Sequence, residues 1–168
     1  PPREAPAASP LHRLAMLERA VEDVPGFIVD DREVRREGHS YMSDTLQELR
    51  QEAGPVPLLL LIGQDAANGL DRWHDWRSLF ELAHVVVMRR PNAHGDYRAE
   101  LKFQMEHRRA TRVAELLEAP AGRVFPLSVT QLEISATAIR AMIANGDSPG
   151  FLLPPAVVDY IEKHRLYR

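Results

Sequence analysis

Apolar positions along this chain follow two periods. Leu14, Leu17, Val21 and Val24 recur at helical spacing behind Ser9-Pro10, an N-cap and first-turn proline, so a helix is predicted there. Leu58 to Ile62 is an unbroken apolar run between Pro57 and Gly63, which predicts a strand over 57–62 buried on both faces. His84-Val85-Val86-Val87-Met88 reads as a second buried strand, and Val124-Phe125-Pro126-Leu127 and Phe27-Ile28-Val29 as short ones. Helical stretches are predicted over 44–53, stopped by Gly54-Pro55, then over 73–82, and as a long charged helix over 98–118. Another follows Ser135 and closes at Asn145-Gly146. A last one starts at Pro154-Pro155 and buries Val157, Val158 and Ile161, with Leu166-Tyr167 packed back on the body. Alternating strands and helices predict an α/β fold, a parallel sheet covered by helices on both faces, in one domain spanning 1–168.

Two places on this scaffold carry chemistry. In Ile134-Ser135-Ala136-Thr137-Ala138-Ile139-Arg140 two hydroxyl residues sit at a helix mouth, with an arginine one turn further in. A helix start offers unpaired N–H groups and the positive end of the macrodipole. Added hydroxyl donors and a permanent guanidinium charge suit a polyphosphate. The alternative is an ordinary Ser/Thr cap with a surface arginine. The second place is Gly63-Gln64-Asp65 at the end of the apolar run. Ligands of open α/β sheets bind beyond the carboxyl ends of strands. Gly63 permits close approach to the backbone. Asp65 can accept from ribose hydroxyls or, alternatively, cap the next helix.

Composition narrows the classes. A chain of 168 residues can bury a real core, and a net charge of −3 disfavours nucleic acid as the main partner. With no cysteine there is no disulfide framework, thiolate metal site or cysteine nucleophile, as in a reducing cytoplasm. No apolar run is long enough to span a membrane and no signal peptide is visible. His12, His39, His84, His94, His107 and His164 show no metal-ligand spacing, so no protein-held metal is expected.

Taken in order, Arg13-x-x-Met16-Leu17, Ser40-Tyr41, Ile62-Gly63-x-Asp65, Trp73, Arg90-Pro91, Ile134-Ser135-x-Thr137-x-x-Arg140 and Tyr160-Ile161…Leu166-Tyr167 resemble bacterial nicotinate-nucleotide adenylyltransferase over essentially the whole chain. The resemblance implies a Rossmann-like nucleotidyltransferase fold. It implies transfer of the adenylyl group of ATP to nicotinic acid mononucleotide, with Mg²⁺ arriving with ATP. That family opens with a strand and a Gly-x-Phe-Asp-Pro-x-His-x-Gly-His loop that nothing here matches. Pro1-Pro2-Arg3 resembles the segment after its second strand, so roughly 40 further N-terminal residues are expected, two strands and a crossover helix.

The same resemblance assigns roles. Gly63, Asp65, Ile134, Ser135, Thr137 and Arg140 would bind ATP, with Arg140 catalytic through charge on the departing pyrophosphate. Tyr41, Met42, Asp65, Trp73, His74, Arg90 and Arg3 would bind the mononucleotide. Within that set Trp73 would stack on the pyridine ring, backbone N–H groups near Met42 and His74 would meet its carboxylate, and Arg90 would meet its phosphate. Trp73 can instead be a core residue, although Trp76 fits that part better. Phosphopantetheine adenylyltransferase shares the Ser-x-Thr-x-x-Arg element and is one alternative. A nucleotide-binding module without catalysis, suggested by the unmatched histidine loop, is another. A homo-oligomer is left open by the charged stretch at 98–118.

Overall fold

A computed structural model describes residues 8–89, 95–130 and 134–168. The chain divides into two compact units, Glu37–Gln131 and the pair Pro1–Arg36 with Leu132–Arg168.

The first of these holds the sheet. Strands β1 (Leu59–Gly63), β2 (His84–Arg89) and β3 (Val124–Ser128) run parallel in the order β1-β2-β3. Leu60 lies opposite Val85, and Val86 opposite Phe125. The central strand is covered on both sides, as its unbroken Val85-Val86-Val87 run requires. Val85 and Val87 join Leu60, Ile62 and Val124 in one apolar cluster, while Val86 packs with Ala110 and Leu116 in another. The unit's helices, numbered in chain order after two that belong to the other unit, are α3 (Met42–Ala53), α4 (Gln64–Asn68), α5 (Leu79–Leu82) and α6 (Ala99–His107). They add Leu46, Ala67, Leu79, Phe80, Leu101 and Met105 to the larger cluster. β1 departs from expectation. Leu60 and Ile62 are buried, but Leu59 and Leu61 are 47% and 53% exposed, because among the described residues no element covers their face of this edge strand.

Two polar residues knit this unit below the strands. Arg50, near the end of α3, spends all five N–H donors on four carbonyl oxygens, those of Leu82, Gly54, Val56 and Pro120, at 2.6–3.1 Å. His84 is fully buried at the start of β2. Arg123 N–H donates to its Nδ1 at 2.9 Å, so Nε2 carries the proton and donates to Ala119 O at 2.8 Å.

The other unit is helical: α1 (Pro10–Val21), α2 (Arg32–Arg35), α7 (Ala136–Ala144) and α8 (Pro155–Lys163). Ser9 caps α1, its hydroxyl accepting from His12 N–H at 3.3 Å, as the Ser-Pro signal indicates. Ile139, Ile143, Val157 and Ile161 form the core, with Met16, Ala20, Leu153, Leu166 and Tyr167 packed against it. Gly146, at φ +82°, closes α7 in the left-handed conformation. Its N–H bonds Ile143 O and Asp147 N–H bonds Met142 O, at 3.0 and 2.9 Å. Between α1 and α8, His12 Nδ1 lies 2.9 Å from Tyr160 Oη, Arg19 sits over the Tyr160 ring, and His164 packs on it at 4.2 Å. Desolvation, then the charges of His12, Lys163 and Arg19, push the His164 imidazole below its ordinary range.

Three other element expectations fail. Phe27-Ile28-Val29 forms no strand, and Ile28 is 92% exposed, because among the described residues no strand pairs with so short a run. The stretch over 73–82 is helical only at Leu79–Leu82, preceded by a 3-10 turn at Leu70–Arg72. The long charged helix stops at His107, where the backbone of Arg109 and Ala110 turns to bond along β3. Pairing with a strand outcompetes one more helical turn.

Candidate active site

β1 ends at Gly63, where the chain passes directly into α4 with Asp65 exposed in its first turn. Gly63 has φ −73°, open to any residue, and a Cβ built on it would meet no atom within 4 Å. Neither backbone strain nor packing accounts for a glycine there. Just beyond, Gln64 Nε2 donates to Asn68 Oδ1 at 2.8 Å and to Tyr97 Oη at 3.1 Å. This network flanks a cavity of about 220 Å³ that also has Arg89, Lys102 and Arg109 in its wall, with Val87, Met105 and Pro126 as its apolar lining. By charge pattern alone Lys102 and Arg109 read as part of a solvated helix face over 98–118, and Tyr97 carries no signal. Only the turn after α6 brings Arg109 beside β3, and no spacing in the sequence signals that turn.

In the same unit, Tyr41, Met42, Trp73 and His74 gather at one end of α3. Tyr41 is the N-cap residue of α3 and Met42 its first helical residue. The Tyr41 ring stacks on His74 with centroids 4.2 Å apart and planes at 29°. Met42 and Trp73 both lie half-buried against the larger core cluster, so Trp73 has a packing role as well as an accessible edge. Trp76, 6% exposed, is the core tryptophan. The backbone N–H of Trp73 is already bonded to Leu70 O at 3.0 Å.

In the helical unit, Ser135 is the N-cap of α7, and its hydroxyl accepts from Ala138 N–H at 3.1 Å. The cap and the anion-binding reading are compatible, because an accepting hydroxyl keeps its own proton to donate. Ala136 and Thr137 N–H, the first two of the helix, have no intrahelical acceptor. Arg140 Nη2 donates to Thr137 Oγ1 at 3.3 Å, which places the guanidinium over the helix mouth. Ile134, Ser135, Thr137 and Arg140 are all exposed, and the first turn of α7 carries no acid. Such a mouth attracts an anion through donors, dipole and charge together. Arg3 and Arg90 lie outside the described residues. Among the described residues no three His, Cys, Asp or Glu side chains cluster as a metal site, and no helix is long and apolar enough to cross a membrane.

Exposed hydroxyl and guanidinium groups at a helix start, and a glycine with open space beside it at the end of a parallel strand, are parts that a nucleotide-binding α/β fold can use. The cytidylyltransferase-like family model matches residues 2–142. A solved nicotinic acid mononucleotide adenylyltransferase of Plasmodium falciparum, in complex with APC, superposes with a TM-score of 0.62 over 94% of this chain and 75% of its own, at 14% identity, which shows the shared fold. Two bacterial relatives, each described as a probable nicotinate-nucleotide adenylyltransferase, are much closer in sequence. The one from Methylococcus capsulatus is 46% identical over 99% of this chain and 80% of its own length. The one from Aeromonas hydrophila is 42% identical over 100% and 78%. The chain belongs to the nicotinate-nucleotide adenylyltransferase family.

Proposed function

We infer that this protein transfers the adenylyl group of ATP to nicotinic acid mononucleotide, giving deamido-NAD and pyrophosphate in NAD biosynthesis. Identity to the bacterial relatives along nearly the whole chain carries the reading. The site residues support it. Ser135, Thr137, Arg140 and the first N–H groups of α7 form an exposed cationic mouth for a triphosphate. Asp65 and Gly63, at the end of β1, supply a carboxylate for ribose hydroxyls and open space beside the backbone. Tyr41, Met42, Trp73 and His74 supply aromatic faces and helix-start N–H groups for a pyridine ring bearing a carboxylate.

The acceptor phosphate is already an anion and needs no general base. It attacks the α-phosphorus of ATP in line, and the bond to the β-phosphate oxygen breaks. Catalysis of such transfers consists mainly of positioning and charge stabilisation. Arg140 stabilises the charge that grows on the departing pyrophosphate. The first turn of α7 carries no acid, and Ser135, Thr137 and Arg140 are neutral and cationic donors, a set that suits phosphate oxygens and not a resident metal. Mg²⁺ therefore enters as part of the MgATP substrate, held by phosphate oxygens and water. These parts also suit a cytoplasmic biosynthetic enzyme with small-molecule substrates.

Pyrophosphate release from ATP, assayed separately with nicotinic acid mononucleotide and with phosphopantetheine, tests the reading. Turnover with the first and none with the second is expected, and Arg140→Ala lowers kcat by roughly 10²-fold, the scale of removing one charge-stabilising donor. Preference for phosphopantetheine, or nucleotide binding without pyrophosphate release, refutes it.

A further inference from the structure

Among the described residues the Asp65 carboxylate makes no hydrogen bond or ion pair, and it is exposed. Its place is therefore set by the backbone of α4 alone. That helix has only five residues, too few to hold together by its own hydrogen bonds, so its surroundings must fix it. One side is fixed by burial. Ala67 is fully buried, and Ala66 packs on the larger apolar cluster. The second anchor is polar. Gln64 and Asn68, the first and last residues of α4, stand four apart and so on one side of the helix. Gln64 Nε2 donates to Asn68 Oδ1 at 2.8 Å and to Tyr97 Oη at 3.1 Å, and Asn68 Oδ1 accepts a second bond from Asp96 N–H at 3.1 Å. One oxygen of Asn68 thus joins the two ends of α4 to each other and to residues 95–97, which lie between β2 and α6. Those residues are a firm support. The Tyr97 ring packs on the larger apolar cluster and folds back over Gly95 so closely that a Cβ built there would run into it.

We propose that Asn68 is a positioning residue for Asp65. It acts without touching the nucleotide. Through the Gln64 amide, the Tyr97 hydroxyl and the Asp96 N–H it sets the tilt of α4, and with it the point at which the Asp65 carboxylate meets ribose hydroxyls. A carboxylate displaced by about 1 Å no longer accepts those hydroxyls in line, so recognition weakens although every group in contact with the nucleotide is unchanged. The proposal rests on the reading given under Proposed function and adds the residue that fixes one part of that site.

The test is a double-mutant cycle, because a residue that works only through Asp65 loses its effect once that carboxylate is gone. Steady-state kcat/KM is measured for ATP and for nicotinic acid mononucleotide in wild type, Asn68→Leu, Asp65→Ala and the double variant. Leucine is close to asparagine in size and removes the acceptor. The larger loss in Asp65→Ala identifies the nucleotide that the carboxylate serves. For that nucleotide Asn68→Leu should lower kcat/KM about tenfold in the wild-type background, the value of one hydrogen bond to a charged group, and less than twofold when Asp65 is already alanine. If Asn68→Leu does not fold, Tyr97→Phe removes only the hydroxyl that holds Gln64 and carries the same cycle, with an expected loss of about threefold. A loss of equal size in both backgrounds marks a general packing effect and overturns the proposal. So does an Asn68→Leu enzyme within twofold of wild type. An Asp65→Ala enzyme with unchanged kinetics overturns the proposal together with the role given to Asp65. A wild-type chain that releases no pyrophosphate from the two nucleotides overturns the parent reading and this proposal with it.

Discussion

Replacing Arg50 should separate stability from activity. Its guanidinium makes five hydrogen bonds to four carbonyls, linking the end of α3 to the segment entering β1 (Gly54, Val56), the end of α5 before β2 (Leu82) and the loop before β3 (Pro120). Three of the five are partly buried, those to Gly54 and the pair to Leu82, while the bonds to Val56 and Pro120 are exposed. At about 1 kcal/mol for each partly buried bond and about half that or less for each exposed one, Arg50→Ala should cost about 3–4 kcal/mol. That is a large share of the ~5–15 kcal/mol that holds a typical domain folded. Arg50→Lys should cost about 2–3 kcal/mol. An ammonium is a point donor and cannot reproduce a planar fork reaching three directions. Urea denaturation followed by tryptophan fluorescence reads this as a lower midpoint at constant m-value. The clamp lies at the amino ends of the strands, whereas Gly63 and Asp65 lie at the carboxyl end of β1. Turnover well below the unfolding transition should therefore change less than twofold. An Arg50→Ala cost below about 1 kcal/mol would refute the reasoning, because it would mean that water satisfies these carbonyls as well as the guanidinium does.

Two further outcomes are expected. Gly63→Ala should leave the unfolding free energy from urea denaturation within about 0.5 kcal/mol of wild type, since the backbone and the surrounding space accept a methyl group, yet should raise the KM for nucleotide severalfold; a large loss of stability, or unchanged kinetics, would show that the glycine does not keep room for a ligand. The depressed His164 imidazole makes the unfolded chain take up that proton first as pH falls, so its contribution to stability is complete above the ordinary imidazole range near 6.5 and declines as pH drops through it. Melting temperature should therefore fall between pH 7.5 and 5.5 by more in wild type than in His164→Phe, and equal slopes would sink the assignment.

Much of the scaffold was legible because its signals are local. The Ser9-Pro10 cap, the Asn145-Gly146 stop and the Val85–Val87 run each encode their structure within a few residues, through hydrogen bonds or burial that near neighbours settle. Ser135, Thr137 and Arg140 were legible for the same reason, since a helix of known start brings residues two and three apart together. The resemblance added order across the chain, which local pattern alone does not supply.

What the sequence determined by itself was the element type wherever caps and periodicity agreed, and the placing of Ser135, Thr137 and Arg140 at a helix start and of Gly63 and Asp65 at a strand end. Tertiary structure alone decided that β1 keeps Leu59 and Leu61 exposed, that the helix predicted to run to 118 stops at His107 to pair with β3, and that Arg50 closes on four carbonyls up to 70 residues away. Tertiary packing also left the Ser43 hydroxyl buried without a partner. These outcomes turn on which surface each segment meets. A residue's own neighbours in sequence set its local conformation, but only the assembled fold decides which groups lose water and what replaces it.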